Sequence, residues 1–272
     1  MSKKQKVFTV IGIIAAALAI FFSFWKIPFL AGGRISRLLG EIIPLFFGAF
    51  VVVLYLLFAY KKIFRVHRNL IYLLPCLIVA INNFPLISFI NGVCVFDGVG
   101  IAEILLFILY CLLIGVLEEC FFRGIILVWL TEIFKKNKTG LVKSMILSSC
   151  VFGLAHLFNL FGGAGVADTL LQVLYSALIG GLCAFAFFKT NNILCAVLIH
   201  FIYNVCGLLF NADIGLGTGV VYGTAAMIVT VIIGIAVGVF VVISLIRTKE
   251  EELYRFYDTV NIRFSKDDGR SS

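Results

Sequence analysis

Long apolar runs, each bounded by polar or charged residues, set the pattern of the chain. A bilayer core of about 30 Å takes about 20 apolar residues as one helix, whereas barrel strands alternate apolar and polar positions. The runs here are continuous, so the pattern predicts an all-α, polytopic transmembrane helix bundle of about eight spans. The predicted spans are 7–25, 42–60, 69–92, 100–134, 142–164, 168–188, 191–210 and 219–246.

Two of these spans depart from a simple helix. "NNFP" at 82–85 interrupts the span 69–92, so a broken or re-entrant helix is an alternative there. The run 100–134 is too long for one perpendicular span, and we expect it to tilt or to project into the cytoplasm. We therefore predict one integral membrane domain over 1–247, with its motif-bearing core at about 100–210. The polar segment 248–272 is predicted to be a cytoplasmic tail, a short surface helix followed by disorder.

Composition and charge fit this topology. The 272 residues are 62% hydrophobic and only 13% charged, too apolar for a soluble domain of this length. The net charge of +8 does not indicate nucleic acid, because Lys and Arg cluster on alternate sides of the predicted spans. That bias predicts that both termini are cytoplasmic. The eight Cys mostly fall inside apolar runs and form no CxxC, so we expect buried thiols rather than disulfides or a zinc finger.

A few polar side chains lie within the predicted spans, where ionisable groups are rare and commonly functional. They are Glu103, Glu118, Glu119, Arg123, His156, His200 and Asn204. In "EECFFR" (118–123), Glu119 and Arg123 are spaced i,i+4 and can form a salt bridge. Glu118 points about 100° away and has no cation at i±3 or i±4. Desolvation of such a lone carboxylate favours the role of a general base.

Two further patterns carry imidazoles. In "FGLAH" (152–156), Phe152 lies one turn before His156, and in "HFIYN" (200–204), His200 and Asn204 share a helix face. At about 1.5 Å per residue, Glu118, His156 and His200 lie roughly 25, 20 and 16 Å from the nearest cytoplasmic lysines. The three spans therefore bring an acid, two imidazoles and an amide to a similar depth. Such a set can activate water and stabilise an oxyanion.

These patterns, EExxxR, FxxxH and HxxxN in this order on successive helices, resemble those of the CAAX-protease and bacteriocin-processing family (CPBP, also called Abi) of intramembrane proteases. The resemblance spans about 110–210. It implies hydrolysis of a peptide bond within the bilayer, with Glu118 and His156 activating water. It further implies an oxyanion site from His200 and Asn204, with Glu119, Arg123 and Phe152 in supporting roles.

The resemblance leaves the cofactor open between two alternatives. Of the two, we favour a glutamate mechanism without a metal or other cofactor, and the usual sequence argument for zinc is missing because the chain has no HExxH. The alternative is Zn²⁺ held by Glu118, His156 and His200, since catalytic zinc commonly has three protein ligands and a water.

The resemblance also sets expectations for location and partners. We expect a multi-pass protein of a bacterial plasma membrane that acts on a peptide or membrane-protein substrate, with a role in bacteriocin or peptide maturation or in self-immunity. A prenylated substrate is not expected, and a membrane sensor or secretion partner is an option. Two other functions compete: a non-catalytic membrane adaptor or regulator on the same scaffold, and a proton-coupled transporter using Glu118 as a relay. Against the transporter, the chain has no inverted repeat.

Overall fold

The structure, a computed structural model, describes residues 32–65, 69–96, 98–220 and 223–260. These residues are almost entirely helical. The α-helices are α1 Arg34–Tyr60, α2 Leu73–Asn82, α3 Leu86–Ile90, α4 Ile101–Phe121, α5 Val128–Ile133, α6 Lys138–Ala155, α7 Val166–Thr190, α8 Ile193–Leu208, α9 Thr224–Ile246 and α10 Glu250–Thr259. Short 3₁₀ segments at Lys61–Phe64, Leu70–Tyr72 and His156–Gly162 extend three of them. The strands are β1 Val95–Phe96 and β2 Gly217–Thr218.

The prediction of an all-α, multi-pass membrane protein is confirmed. Within the described ranges, five helical segments are long and apolar enough to cross a membrane. They are Arg34–Phe64, Ile101–Ile133, Lys138–Gly162, Val166–Thr190 and Thr224–Ile246. Two more apolar helices, Leu70–Asn82 and Ile193–Leu208, are shorter. The predicted span 7–25 lies outside the described residues, so the count of eight spans and the cytoplasmic placement of both termini stay predictions.

The "NNFP" segment breaks its helix, as its sequence suggested. Helix α2 ends at Asn82, and the chain resumes as the short helix α3 after Pro85. At the break, the side-chain amide of Asn83 donates to the carbonyl of Tyr203 on α8 at 2.9 Å. The break after α2 is therefore hydrogen-bonded to α8, the helix that carries the HxxxN motif.

The helix that carries EExxxR is continuous but irregular. Between α4 and α5, residues Phe122–Leu127 form a π-helix, a wider turn that is often found at functional sites. The hydroxyl of Ser148 on α6 donates to the carbonyl of Phe122 at 2.8 Å. The irregular turn is thus hydrogen-bonded to the helix that carries the next motif.

Close helix packing brings the motifs together. Helix α4 packs between α1 and α8, and α6 packs along α7. At Gly115 of α4, an added Cβ would lie only 3.3 Å from the backbone of both Val197 and Phe201 on α8. The absence of a side chain lets α4 and α8 approach closely, three residues before Glu118. Many large apolar side chains on the outside, such as Phe58 and Ile101, are exposed, as expected for surfaces that face lipid.

The segment that follows α9, which the sequence predicted to be a polar tail, includes a helix with buried side chains. The predicted short helix forms as α10, and its Leu253, Phe256 and Tyr257 side chains are buried. Phe256 contacts the rings of Phe187 and Phe188 at the end of α7. Helix α10 is therefore packed against the bundle. The predicted disorder beyond it lies outside the described residues, and the domain boundary at 247 stays a prediction.

Candidate active site

A buried ionic cluster joins α4, the π-helix and α8. Arg123 Nε lies 3.0 Å from Glu119 Oε2, and both side chains are fully buried. The other oxygen of Glu119, Oε1, lies 2.7 Å from Nδ1 of His200, which is also buried. The predicted i,i+4 salt bridge is therefore present, and its carboxylate also binds an imidazole from a distant part of the chain.

This contact sets the tautomer of His200. An ionised carboxylate only accepts hydrogen bonds, and Glu119 is the carboxylate of the ion pair with Arg123. Nδ1 of His200 therefore donates to Glu119. The remaining nitrogen, Nε2, faces Glu118, whose Oε2 lies 3.4 Å away. Nε2 carries a lone pair when the ring is neutral and an N–H when the ring is protonated.

The prediction that Glu118 is a buried carboxylate without a partner is wrong. Its side chain is 25% exposed, and its partner is His200. Positions i±3 and i±4 lie on the helix that carries Glu118, whereas His200 comes from α8, so the spacing within one helix does not reveal this contact. Glu118 is the more accessible of the two glutamates, whereas Glu119 is completely enclosed.

His156 contacts a different set of partners. Its Nδ1 lies 3.1 Å from the carbonyl oxygen of Phe152 and donates to it. Its Nε2 lies 3.5 Å from the hydroxyl of Ser176 on α7. The pairing of Glu118 with His156 that the resemblance implies stays a prediction.

The ring of Phe152 links the two imidazoles. Its centroid lies 5.1 Å from that of His156 and 5.7 Å from that of His200, in edge-on contacts. The guanidinium carbon of Arg123 lies 4.7 Å from the same centroid, within the range of a cation–π interaction. Phe152 is therefore a central packing element of the cluster.

Asn204 lies one turn beyond His200 on α8. Its side-chain nitrogen Nδ2 is buried and has no hydrogen-bond partner among the described residues. Buried amide donors normally find an acceptor, because burial without one costs about 1–3 kcal/mol. An unpaired N–H at this position is available to an acceptor on a bound ligand.

Two residues of α7 that sequence reasoning missed also contact the cluster. They are Ser176, described above, and Gly180 one turn later. A Cβ added at Gly180 would lie 2.6 Å from Arg123 Nη2 and 2.9 Å from the Phe152 ring. A side chain at 180 would thus displace the guanidinium. Nothing in the apolar run 168–188 marks these positions, since Ser and Gly are common at helix contacts in membranes.

Glu103, the remaining predicted intramembrane acid, lies apart from this cluster at the start of α4. One oxygen accepts from the backbone N–H of Gly100 at 2.7 Å, and the other lies 3.5 Å from Arg34 of α1. These contacts cap α4 and link it to α1. Glu103 therefore has a structural role.

No metal site is evident in the described ranges. Within them, no group of three or more His, Cys, Asp and Glu side chains could hold a metal ion. The arrangement does not assemble Glu118, His156 and His200 as a ligand set. The preference for a mechanism without a cofactor, and the alternative of Zn²⁺, both stay predictions.

Comparison with protein families identifies the segment that carries this cluster. Residues 100–206 match the family described as type II CAAX prenyl endopeptidase Rce1-like. The resemblance to CAAX proteases is confirmed. The match includes all three motifs, as well as Ser176 and Gly180, and covers less than half of the chain. It supports a CAAX-type intramembrane protease in general, with a peptide or membrane-protein substrate. No curated protein and no solved structure matches the chain.

Proposed function

We propose that this protein is an intramembrane endopeptidase that hydrolyses a peptide bond of a membrane-associated peptide or protein. The observation that carries the proposal is His200, bound by Glu119 through Nδ1 and facing the partly exposed Glu118 through Nε2. In many hydrolases, a buried carboxylate binds one nitrogen of a histidine and thereby orients the other nitrogen toward a reactive group. The matched family supports the same reaction class.

Charge balance suggests the protonation state of His200. Glu118 and Glu119 carry two negative charges when ionised, and Arg123 supplies one positive charge. A proton on His200 makes the group electrically neutral, which avoids an uncompensated charge in a region of low dielectric constant. In that state, Nε2–H is a donor that can turn from Glu118 to a substrate oxygen.

The proposed reaction uses Glu118 as the general base. A water between Glu118 and His156 gives a proton to the Glu118 carboxylate and attacks the carbonyl carbon of the peptide bond. The resulting oxyanion accepts hydrogen bonds from His200 Nε2–H and Asn204 Nδ2–H. Protonated Glu118 then gives its proton to the leaving nitrogen as the C–N bond breaks. The products are a carboxylic acid and an amine.

The test compares peptides made by cells that carry the wild-type protein or the Glu118→Ala variant. Mass spectrometry of membrane and secreted fractions should find cleavage products that only the wild-type cells produce. The same peptides should be absent with Glu118→Gln, which keeps the shape of the side chain but removes the base. The sequences at the new ends would show whether bacteriocin or peptide maturation is the role, as we propose.

A matched control uses Glu103→Gln, which alters an acid at the other end of α4. This variant should still produce the peptides. Identical peptide sets from wild-type and Glu118→Ala cells, with equal amounts of folded protein, would contradict the proposed function.

A further inference from the structure

Ser176 differs from other buried serines of the bundle in what its hydroxyl contacts. Ser144 and Ser149 on α6 donate to carbonyls one turn earlier in their own helix, and Ser148 donates to the carbonyl of Phe122. Ser176 is only 3% exposed, and its hydroxyl lies 3.5 Å from Nε2 of His156. Its contact is therefore with a titratable side chain of the candidate site.

The other nitrogen of His156 determines the direction of this contact. Nδ1 donates to the Phe152 carbonyl, so Nε2 of the neutral ring carries a lone pair and accepts from the Ser176 hydroxyl. If the ring gains a proton, the same hydroxyl oxygen can accept from Nε2–H, because a serine is both donor and acceptor. Ser176 can keep the ring oriented in both states.

We propose that Ser176 is a positioning residue that holds the His156 ring in the orientation needed to act on the attacking water. This inference rests on the proposed function. At 3.5 Å the hydrogen bond is long, so a water placed closer to Nε2 can compete for it while the hydroxyl still limits rotation of the ring. Helix α7, which carries none of the three motifs, would thus also contribute a residue to the site.

The sharpest test compares Ser176→Thr with Ser176→Val, which have nearly the same shape but differ in the hydroxyl. The substrate is an internally quenched peptide built on the cleavage site found by mass spectrometry. We expect Ser176→Thr to keep most of the wild-type kcat, whereas Ser176→Val and Ser176→Ala lower it by about 10- to 100-fold with KM unchanged. If Ser176 only filled space, Ser176→Thr and Ser176→Val should have the same kcat.

Ser144→Ala is the matched control, because it removes a buried hydroxyl that binds only its own helix. It should leave kcat unchanged. Equal kcat values for wild type, Ser176→Ala and Ser176→Val would overturn the proposal. If neither branched variant folds, Ser176→Ala, which adds no atoms, decides the outcome alone.

A second measurement does not depend on peptide cleavage. Diethyl pyrocarbonate reacts with unprotonated imidazole nitrogens, and mass spectrometry locates the modified histidine. Removal of the hydroxyl that shields Nε2 should make His156 react several-fold faster in Ser176→Ala than in wild type or in Ser144→Ala. An unchanged rate would refute the contact. If the wild-type protein cleaves no peptide while this rate rises, the proposed function fails and the Ser176 contact stands.

Discussion

Two buried cations, Arg123 and Lys189, show different ways of placing a charge in the bundle. The ammonium of Lys189 reaches Glu252 at 2.6 Å, and the Thr248 hydroxyl and the Ser244 carbonyl at 3.2 Å each. Arg123 forms one ion pair with Glu119, and its three nitrogens make no hydrogen bond with the described residues. Lys189 thus has an acceptor for each of its three donors, whereas Arg123 has one compensating carboxylate and a cation–π contact with Phe152.

The difference distinguishes a structural contact from a candidate functional one. The Lys189 cluster joins the end of α7 to α9 and α10, and its hydrogen bonds offset the cost of burial. Within the described part of the chain, the Arg123 cluster leaves buried donors unpaired, a cost in stability that proteins commonly retain at functional sites. Four substitutions test this comparison.

The largest effect is expected from Glu119→Ala. It removes the counterion of Arg123 and the acceptor of His200 together, leaving a fully buried guanidinium without compensation. Breaking a buried ion pair in this way costs about 3–5 kcal/mol. Thermal unfolding of the purified protein in detergent should show the loss of stability, and cleavage of the internally quenched peptide should stop. An unchanged melting temperature would mean that Arg123 does not depend on this carboxylate.

Asn204→Leu should separate activity from stability. The substitution removes a buried donor that lacks a partner among the described residues, so the folded state should lose little or no stability. Loss of one oxyanion donor lowers kcat by about 10²- to 10³-fold in other hydrolases. We expect that drop in peptide cleavage with an unchanged melting temperature. Full activity in this variant would exclude Asn204 from the oxyanion site.

Gly180→Ala tests whether Arg123 needs the space beside α7. The new methyl group would lie 2.6 Å from Nη2, so the guanidinium or the helix must move. Overpacking of this kind costs about 1–3 kcal/mol, and we expect reduced cleavage as well. The control is Gly181→Ala, whose methyl group would meet only the Ser149 hydroxyl at 3.9 Å. Equal losses in the two variants would exclude crowding of Arg123 as the cause, because Ala favours the helix more than Gly does.

The smallest effect is expected from Glu252→Gln. The Glu252 side chain is 24% exposed, and Lys189 keeps two neutral acceptors and two aromatic rings around its ammonium. We expect a loss of about 1 kcal/mol or less, within the range of partly exposed ion pairs. Peptide cleavage should be unchanged. A loss of cleavage with the fold intact would show that the two charged clusters are coupled.

The sequence predicted the parts of this site that depend on spacing within one helix. The Glu119–Arg123 pair follows from i,i+4 spacing, and the break at "NNFP" follows from proline. The partner of Glu118 could not be predicted in this way, because His200 comes from a separate helix. The contacts of Ser176 and Gly180 depend on how α7 is turned against α6, and an apolar run whose charged residue, Asp168, stands at its first position does not define that rotation.

The wide turn at Phe122–Leu127 has a consequence for how this helix tolerates insertions and deletions. A π turn holds more residues than an α turn, so deleting one residue there would restore regular winding. Because the extra residue is what widens the turn, the stretch from Val128 onward would still face the same side of the bundle after such a deletion. Glu118 and Glu119, which precede the turn, would keep their direction. Insertion of one more residue between the acidic pair and Trp129 should instead rotate the helix beyond it by about 100°, so we expect a deletion to be tolerated better than an insertion.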